Sequence, residues 1–87
     1  MDLSELRKKI DQVDVKIVKL LENRFNLVKE IRKIKKYGGL PLEDKKREKE
    51  IIERLTSSGN LDQRLVEEIY QAIFKYAKNA QDNPLQE

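Results

Sequence analysis

Cations occupy helix positions where apolar residues are expected. In the stretch 20–35, LLENRFNLVKEIRKIK, helical spacing places Leu27 and Ile31 on one apolar stripe. At about 100° per residue, Arg24 falls in the middle of this stripe, and Lys35 lies only about 20° from Arg24 around the axis. A buried cation is costly unless it is paired, so this arrangement predicts recognition of an anion.

A second segment, DKKREKEIIERL, repeats the arrangement. Arg47 lies four residues before Ile51, and Glu48 lies four residues before Ile52. Residues four apart share one face of a helix, so both charged groups are expected on the apolar side. The segment therefore adds a cation and a carboxylate to Arg24 and Lys35. We call the polar residues expected on the apolar side of their helices the inward polar set.

The inward polar set holds more cations than acids. Gln81, four residues after Ala77, adds an amide, and Arg7 lies at the edge of the first apolar stripe. One carboxylate cannot neutralise three inward cations, so the missing partner is expected to be an anion that is not part of the sequence. Cations, a carboxylate and an amide around an apolar cavity describe a site for a small polyanion with a hydroxyl group.

Each of these residues also has a purely structural interpretation. Arg24 could extend to solvent or pair with Glu22 or with an acid of a second chain. Lys35 lies near a helix C-terminus, where a cation is favourable in any case. The charges of the second segment could be ordinary surface groups, and Gln81 could belong to a frayed terminus. Taken separately these alternatives stay open, whereas the combination favours a site.

The elements that carry these residues are three helices, and no strand pattern is present. The first helix is predicted at about 2–36, before the stop signal YGGLP. The second is predicted at about 44–57 with Asp44 as its N-cap, and the third at about 62–82 with Asp62 in that role. The fold class is therefore all-α.

The length of the first helix predicts a second chain. About 35 residues at 1.5 Å each give on the order of 50 Å, which exceeds the width of a compact domain of this size. Much of its apolar stripe would lie beyond the reach of the two shorter helices. We therefore expect a homodimer in which long helices pack across a two-fold axis.

Composition limits the function classes. The 87 residues suggest one domain, 1–87, and the net charge of +3 with interspersed signs suits an anionic small molecule at least as well as nucleic acid. The sequence has no Cys and no His, which removes the thiolate nucleophile, the usual general base near neutral pH and the commonest metal ligand. A polar, charged N-terminus and the absence of a long apolar run lead us to expect a cytoplasmic protein without membrane contact.

The sequence resembles the all-helical chorismate mutases of the AroQ class over nearly its whole length. The resemblance is carried by LRKKIDQVDVKIVKLLENR, by KIKK before the loop, by GLPLEDKKREKEI and by YQAIFKYAKNAQ near the end. It implies an intertwined homodimer that converts chorismate to prephenate in phenylalanine and tyrosine biosynthesis. This intramolecular [3,3] rearrangement needs no metal and no cofactor.

The resemblance also implies which residues hold the two carboxylates of chorismate. Arg24 and Arg47 would bind them within one chain, and Arg7 would enter the site of the other subunit. The family often has Ser one turn before the glutamine near the end of the chain. Ala77 occupies that position here, so one side-chain contact to a carboxylate is missing.

The remaining roles implied by the resemblance concern the reacting oxygen and the hydroxyl group. Lys35 and Gln81 would donate hydrogen bonds to the ether oxygen, where negative charge builds up as the C–O bond breaks. Glu48, together with the backbone near Asp44, would receive the hydroxyl group of the substrate.

Three other functions remain open at this point. An isochorismate-pyruvate lyase of the same fold would use a similar cationic pocket. A basic helical module could bind nucleic acid through its lysines, although acids are interspersed and no aromatic stacking platform is evident. A non-catalytic dimerisation domain would leave the inward arginines without partners.

Overall fold

The structure, a computed structural model, describes residues 1–40 and 44–82, with side chains described up to residue 79. It contains three helices, α1 (Leu3–Gly38), α2 (Lys45–Ser58) and α3 (Gln63–Asp82), and no strand within the described ranges. The prediction of an all-α chain with one long helix and two shorter ones is confirmed. The chain forms two compact units, Met1–Lys33 and Ile34–Glu87.

Aspartates start all three helices. Asp44 Oδ1 accepts a hydrogen bond from the backbone amide of Arg47 at 2.9 Å, and Asp62 Oδ1 accepts one from that of Leu65 at 3.3 Å. Asp2 caps the first turn of α1 in the same way. Each carboxylate satisfies an amide that has no partner inside its helix, and it also complements the positive end of the helix dipole. The predicted N-caps of the second and third helices are confirmed.

The end of α1 is fixed by a glycine in the left-handed region. Gly39 has a φ of 71°, and the amide of Leu40 donates to the carbonyl of Lys35 at 2.8 Å. Glycine adopts this conformation without a Cβ penalty, so the chain can turn back and satisfy the last carbonyls. Gly38 remains helical, which places the end of α1 two residues beyond the predicted one. The cap also sets the position of the final turn, which carries Lys35.

Packing of α2 against α3 forms the buried core of the second unit. Ile51 of α2 and Val66 and Ile73 of α3 are the buried apolar residues of the described chain. The rings of Tyr70 and Phe74 meet edge to face, with centroids 5.8 Å apart and planes at 61°. These contacts fix which side of α2 and α3 points inward.

One series of apolar residues on α1 remains exposed in the single chain. None of the residues of α1 is buried, although the helix carries an apolar series with alternating spacings of three and four, interrupted only at Arg24. We call this series the apolar stripe; it comprises Leu3, Leu6, Ile10, Val13, Ile17, Leu20, Leu27, Ile31 and Ile34. Its members are 44–68% exposed. Such a regular 3–4 spacing over more than four heptads is typical of a helix that packs along another helix.

Candidate active site

A second face of α1 is partly buried, and this face is cationic. The six half-buried residues of α1 lie within an arc of about 100° around the helix axis. We call this arc the cationic face; it consists of Leu21, Arg24, Phe25, Val28, Arg32 and Lys35. Three of its six members are cations and none is an acid. Arg24 and Lys35, which were expected on the interior side of the helix, are both half-buried.

Arg32 belongs to the cationic face but was not predicted as a site residue. Its side chain is half-buried, and its Nη1 atom is buried without a hydrogen-bond partner among the described residues. A signal was present in the sequence, because Arg32 lies three residues before Lys35 and four after Val28. It was missed because it lies about 100° away from Ile31, which belongs to the apolar stripe.

The first turn of α2 places the carboxylate of Glu48 beside hydrogen-bonded backbone. Asp44 is exposed and caps the helix, and its carbonyl accepts a hydrogen bond from the amide of Glu48 at 3.1 Å. Glu48 is half-buried, as predicted from its position one turn before Ile52. The turn thus holds a carboxylate, a strong hydrogen-bond acceptor, next to an ordered backbone.

Arg47 is more exposed than the sequence suggested. Its guanidinium lies toward Glu50, with Nη1 to Oε2 at 4.0 Å, and the two side chains are 55% and 53% exposed. An ion pair of this kind on the helix surface contributes little to stability, so the guanidinium can leave Glu50 at small cost. The prediction that Arg47 projects to the interior is wrong for the single chain, because Glu50, with which it pairs, lies on the solvent-exposed side of α2.

The other residues predicted for the site lie on separate parts of the chain. Arg7 is exposed on the second turn of α1. Ala77 is half-buried on α3, one turn after the buried Ile73. Gln81 lies within the bounds of α3, but its side chain is outside the described residues.

A groove lies between α2 and α3, and most of the residues predicted for the site do not line it. It has a volume of about 1020 Å³ and is open to solvent, and Glu48 is its only predicted site residue. Its other charges alternate in sign, for example Lys49 and Arg64 with Glu53 and Glu67. Mixed charges can neutralise one another, so this groove does not have the cationic excess that a dianion requires.

A membrane-spanning helix and a metal-binding cluster are both absent from the described ranges. Within them, no helix has the length and apolar character needed to cross a membrane. The same residues include no cluster of three or more acidic, histidine or cysteine side chains that could hold a metal ion.

Comparisons with known proteins agree on one family. The family described as chorismate mutase type II matches residues 6–82. The chorismate mutase of Methanocaldococcus jannaschii is 39% identical over 88 residues, covering 98% of this chain and 89% of that protein. A bifunctional chorismate mutase/prephenate dehydratase of Aquifex aeolicus is 40% identical over 73 residues, which cover 84% of this chain but only 18% of that relative.

A solved structure extends the agreement to the fold. Form II of the chorismate mutase from Thermus thermophilus superposes with a TM-score of 0.85 at 33% identity, over 92% of this chain and 93% of that one. Form I of the same protein gives a TM-score of 0.81 at 35% identity, over 86% and 96% of the two chains. Sequence and helical architecture therefore lead to one assignment, and the chain belongs to the chorismate mutase type II family.

Proposed function

We propose that this chain is a chorismate mutase domain over residues 1–87 that converts chorismate to prephenate in phenylalanine and tyrosine biosynthesis. The observation that carries the proposal is the cationic face of α1, which withdraws three cations from solvent without a single acid among its six members. Chorismate carries two carboxylates, which suit a face that presents several half-buried cations. The proposal keeps the cytoplasmic location expected from the sequence.

Binding of the two carboxylates is assigned to three arginines. Arg24 of the cationic face and Arg47 in the first turn of α2 bind them from one chain, and Arg7 reaches in from the partner subunit. Arginine suits this role because its planar fork of donors matches a carboxylate in a bidentate geometry. The exposed pairing of Arg47 with Glu50 supports the assignment, because this weak contact is easily exchanged for a substrate carboxylate. Ala77 takes the position of a contact that the family often makes with Ser.

Rate acceleration is assigned to donors at the ether oxygen. Lys35 is half-buried in the last turn of α1, and Gln81 is assigned as the second donor. Negative charge on the ether oxygen is larger in the transition state than in the ground state, so both donors bind more strongly as the C–O bond breaks. Holding the enolpyruvyl chain over the ring supplies the other contribution, which is the orientation of a reactive conformer.

The first turn of α2 is assigned to the hydroxyl group of chorismate. The half-buried carboxylate of Glu48 can accept a hydrogen bond from it, and the cap by Asp44 keeps the neighbouring backbone in place. A group that accepts from a hydroxyl selects against analogues that lack it, because the carboxylate would then remain without a partner.

The homodimer is part of the proposal, and the exposed apolar stripe supports it. Nine apolar residues that are 44–68% exposed on one helix form a larger apolar surface than a monomer normally leaves in water. A two-fold axis would bring the stripe of one α1 onto the same stripe of its partner, because an isologous contact uses one surface twice. In such a dimer the N-terminal part of α1 extends along the partner, which is consistent with the assignment of Arg7 to the partner's site.

The decisive experiment is to incubate the purified protein with chorismate. We expect chorismate absorbance to fall and prephenate to accumulate in equal amount. The same assay with isochorismate tests the lyase alternative, since a lyase would release pyruvate. Failure to consume chorismate by the folded, dimeric protein would overturn the proposed function.

A further inference from the structure

Arg32 lies among cations and an apolar residue on α1. Its Nη1 atom is buried and has no acceptor among the described residues. Its neighbours one turn away along α1 are Val28 and Lys29 on one side and Lys35 and Lys36 on the other. None of these can accept a hydrogen bond or supply a negative charge, and three of them repel the guanidinium.

The Nη1 atom of Arg32 is a charged donor that is withdrawn from water without an acceptor among the described residues. Leaving a buried donor unsatisfied is unfavourable, and more so when the group is charged, so such nitrogens usually lie next to an acid or a bound anion. The nearest acid that could have served, Glu30, is exposed on a different side of α1 and pairs with Lys33 at 3.3 Å. The buried Nη1 atom of Arg32 therefore favours an acceptor from outside α1.

We propose that Arg32 is a further substrate-binding residue that contacts a carboxylate of chorismate. Arg32 shares the cationic face with Arg24 and Lys35, lying about 80° from the former and about 60° from the latter around the axis of α1. An anion held by this face would therefore lie on the same side of α1 as the Arg32 side chain. This inference rests on the proposed function and adds a residue to it.

The length and planarity of the arginine side chain fit this role. Its guanidinium presents donors in a fixed fork, and one buried nitrogen is still available for a carboxylate oxygen. Ala77 has no side chain that could donate a hydrogen bond. Arg32 would add a charge-assisted hydrogen bond to those assigned to the three other arginines.

The test compares Arg32→Ala with Lys33→Ala in steady-state kinetics with chorismate. Both variants lose one positive charge from the same helix, but Lys33 is exposed and paired with Glu30. We expect KM to rise about 10- to 100-fold for Arg32→Ala, which is typical of a lost hydrogen bond between charged groups, and to stay near wild type for Lys33→Ala. Arg32→Lys should recover part of the loss, because it restores the charge without the fork.

A second readout separates substrate contact from a structural role. An unreactive dicarboxylate analogue of chorismate and its two monomethyl esters are compared by the increase in melting temperature that each gives to the wild-type and Arg32→Gln proteins. If Arg32 contacts one carboxylate, the substitution weakens binding of the dicarboxylate and of one ester but leaves binding of the other ester unchanged. Equal weakening for all three ligands would overturn the proposed contact.

The outcomes also separate this inference from the proposed function. A wild-type protein that does not consume chorismate refutes the proposed function. A wild-type protein that does so, with an unchanged KM in both Arg32→Ala and Arg32→Gln, refutes only the role of Arg32. In that case lower melting temperatures of the variants without ligand would indicate that Arg32 pairs with an acid of the protein.

Discussion

Asp44 Oδ1 accepts a hydrogen bond from the backbone amide of Arg47 at 2.9 Å, so the contact that starts α2 also orders the turn that carries an arginine proposed to bind a carboxylate. The carbonyl of Asp44 accepts from the amide of Glu48 in the same turn, at 3.1 Å. A helix cap normally contributes only to the stability of the helix. Here the same residue connects stability with the position of two groups proposed to touch the substrate.

Replacement of this cap should therefore affect both stability and activity. We expect Asp44→Ala to lower the free energy of unfolding by about 1 kcal/mol, as is typical for loss of an N-cap. We also expect kcat/KM to fall about tenfold or more, since small displacements of substrate-binding groups are costly. Chemical denaturation and steady-state kinetics measure the two effects.

Asp62→Ala is the matched control for this prediction. Asp62 caps α3 through the amides of Arg64 and Leu65, at 2.7 and 3.3 Å, but no site residue lies in that turn. It should lose similar stability and keep its kcat/KM. Equal losses of activity in the two variants would show that the cap of α2 acts only through stability.

The apolar stripe predicts that a single charge can dissociate the dimer. Ile17 lies on the stripe and is 50% exposed in the single chain. If it is buried between subunits, Ile17→Lys removes an apolar contact worth about 2–5 kcal/mol and buries a charge, so the dimer Kd should rise at least about 30-fold. Sedimentation equilibrium across a concentration series measures this change.

Val15→Lys provides the comparison on the opposite side of the same helix. Val15 is 54% exposed, and it lies about 160° from Ile17 around the axis. This variant should remain dimeric and active. A monomeric wild-type protein with full activity at micromolar concentration would contradict the assignment of the stripe to a dimer interface.

The assignment of Arg7 to the partner's site can be tested by mixing subunits. Arg7→Ala and Arg24→Ala should each be nearly inactive, because each removes a carboxylate contact from every site. After subunit exchange, half of the dimers are heterodimers, and each of these contains one site with both arginines. Activity should then recover to about a quarter of the wild-type value. Absence of recovery with proven exchange would place Arg7 outside the partner's site.

The sequence predicted the part of the cationic face that lies next to the apolar stripe of α1. The apolar stripe and the cationic face adjoin, and Arg24 lies where they meet, so a search along the stripe finds Arg24 and Lys35. Arg32 lies about 100° from Ile31, on the far side of the cationic face. Helical periodicity alone does not indicate its partial burial or its buried Nη1 atom, so the structure was needed to identify it.

The local contacts at the helix ends were predicted only in part. The N-caps by Asp44 and Asp62 are local side-chain contacts, and the sequence predicted them correctly. The end of α1 was predicted two residues early, because either of two adjacent glycines could have made the turn and only Gly39 has a positive φ. The exposure of Arg47 was also missed, since Glu50 competes for it on the wet side of α2.

Activity of the wild-type protein should be nearly independent of pH from about 6 to 9. The sequence has no His and no Cys, the side chains that ordinarily titrate in this range. The proposed donors at the ether oxygen are an ammonium group and the amide of Gln81. A pH–rate profile of kcat/KM with a steep change inside this range would contradict the proposed set of groups.

The substitution Gln81→Glu should turn this flat profile into one that rises toward acid pH. A carboxylate repels the negative charge that develops on the ether oxygen and cannot donate to it, whereas a protonated carboxyl group can. Near neutral pH the loss should be about 10²–10³ in kcat, as is typical when one donor to a developing oxyanion is removed. Part of the lost kcat should return below about pH 5, where a glutamate takes up its proton.

Gln81→Leu is the control, because it loses the donor but has nothing to titrate, so its profile should stay low and flat. If Gln81→Glu instead runs parallel to the wild type at all pH values, Gln81 does not contact the ether oxygen.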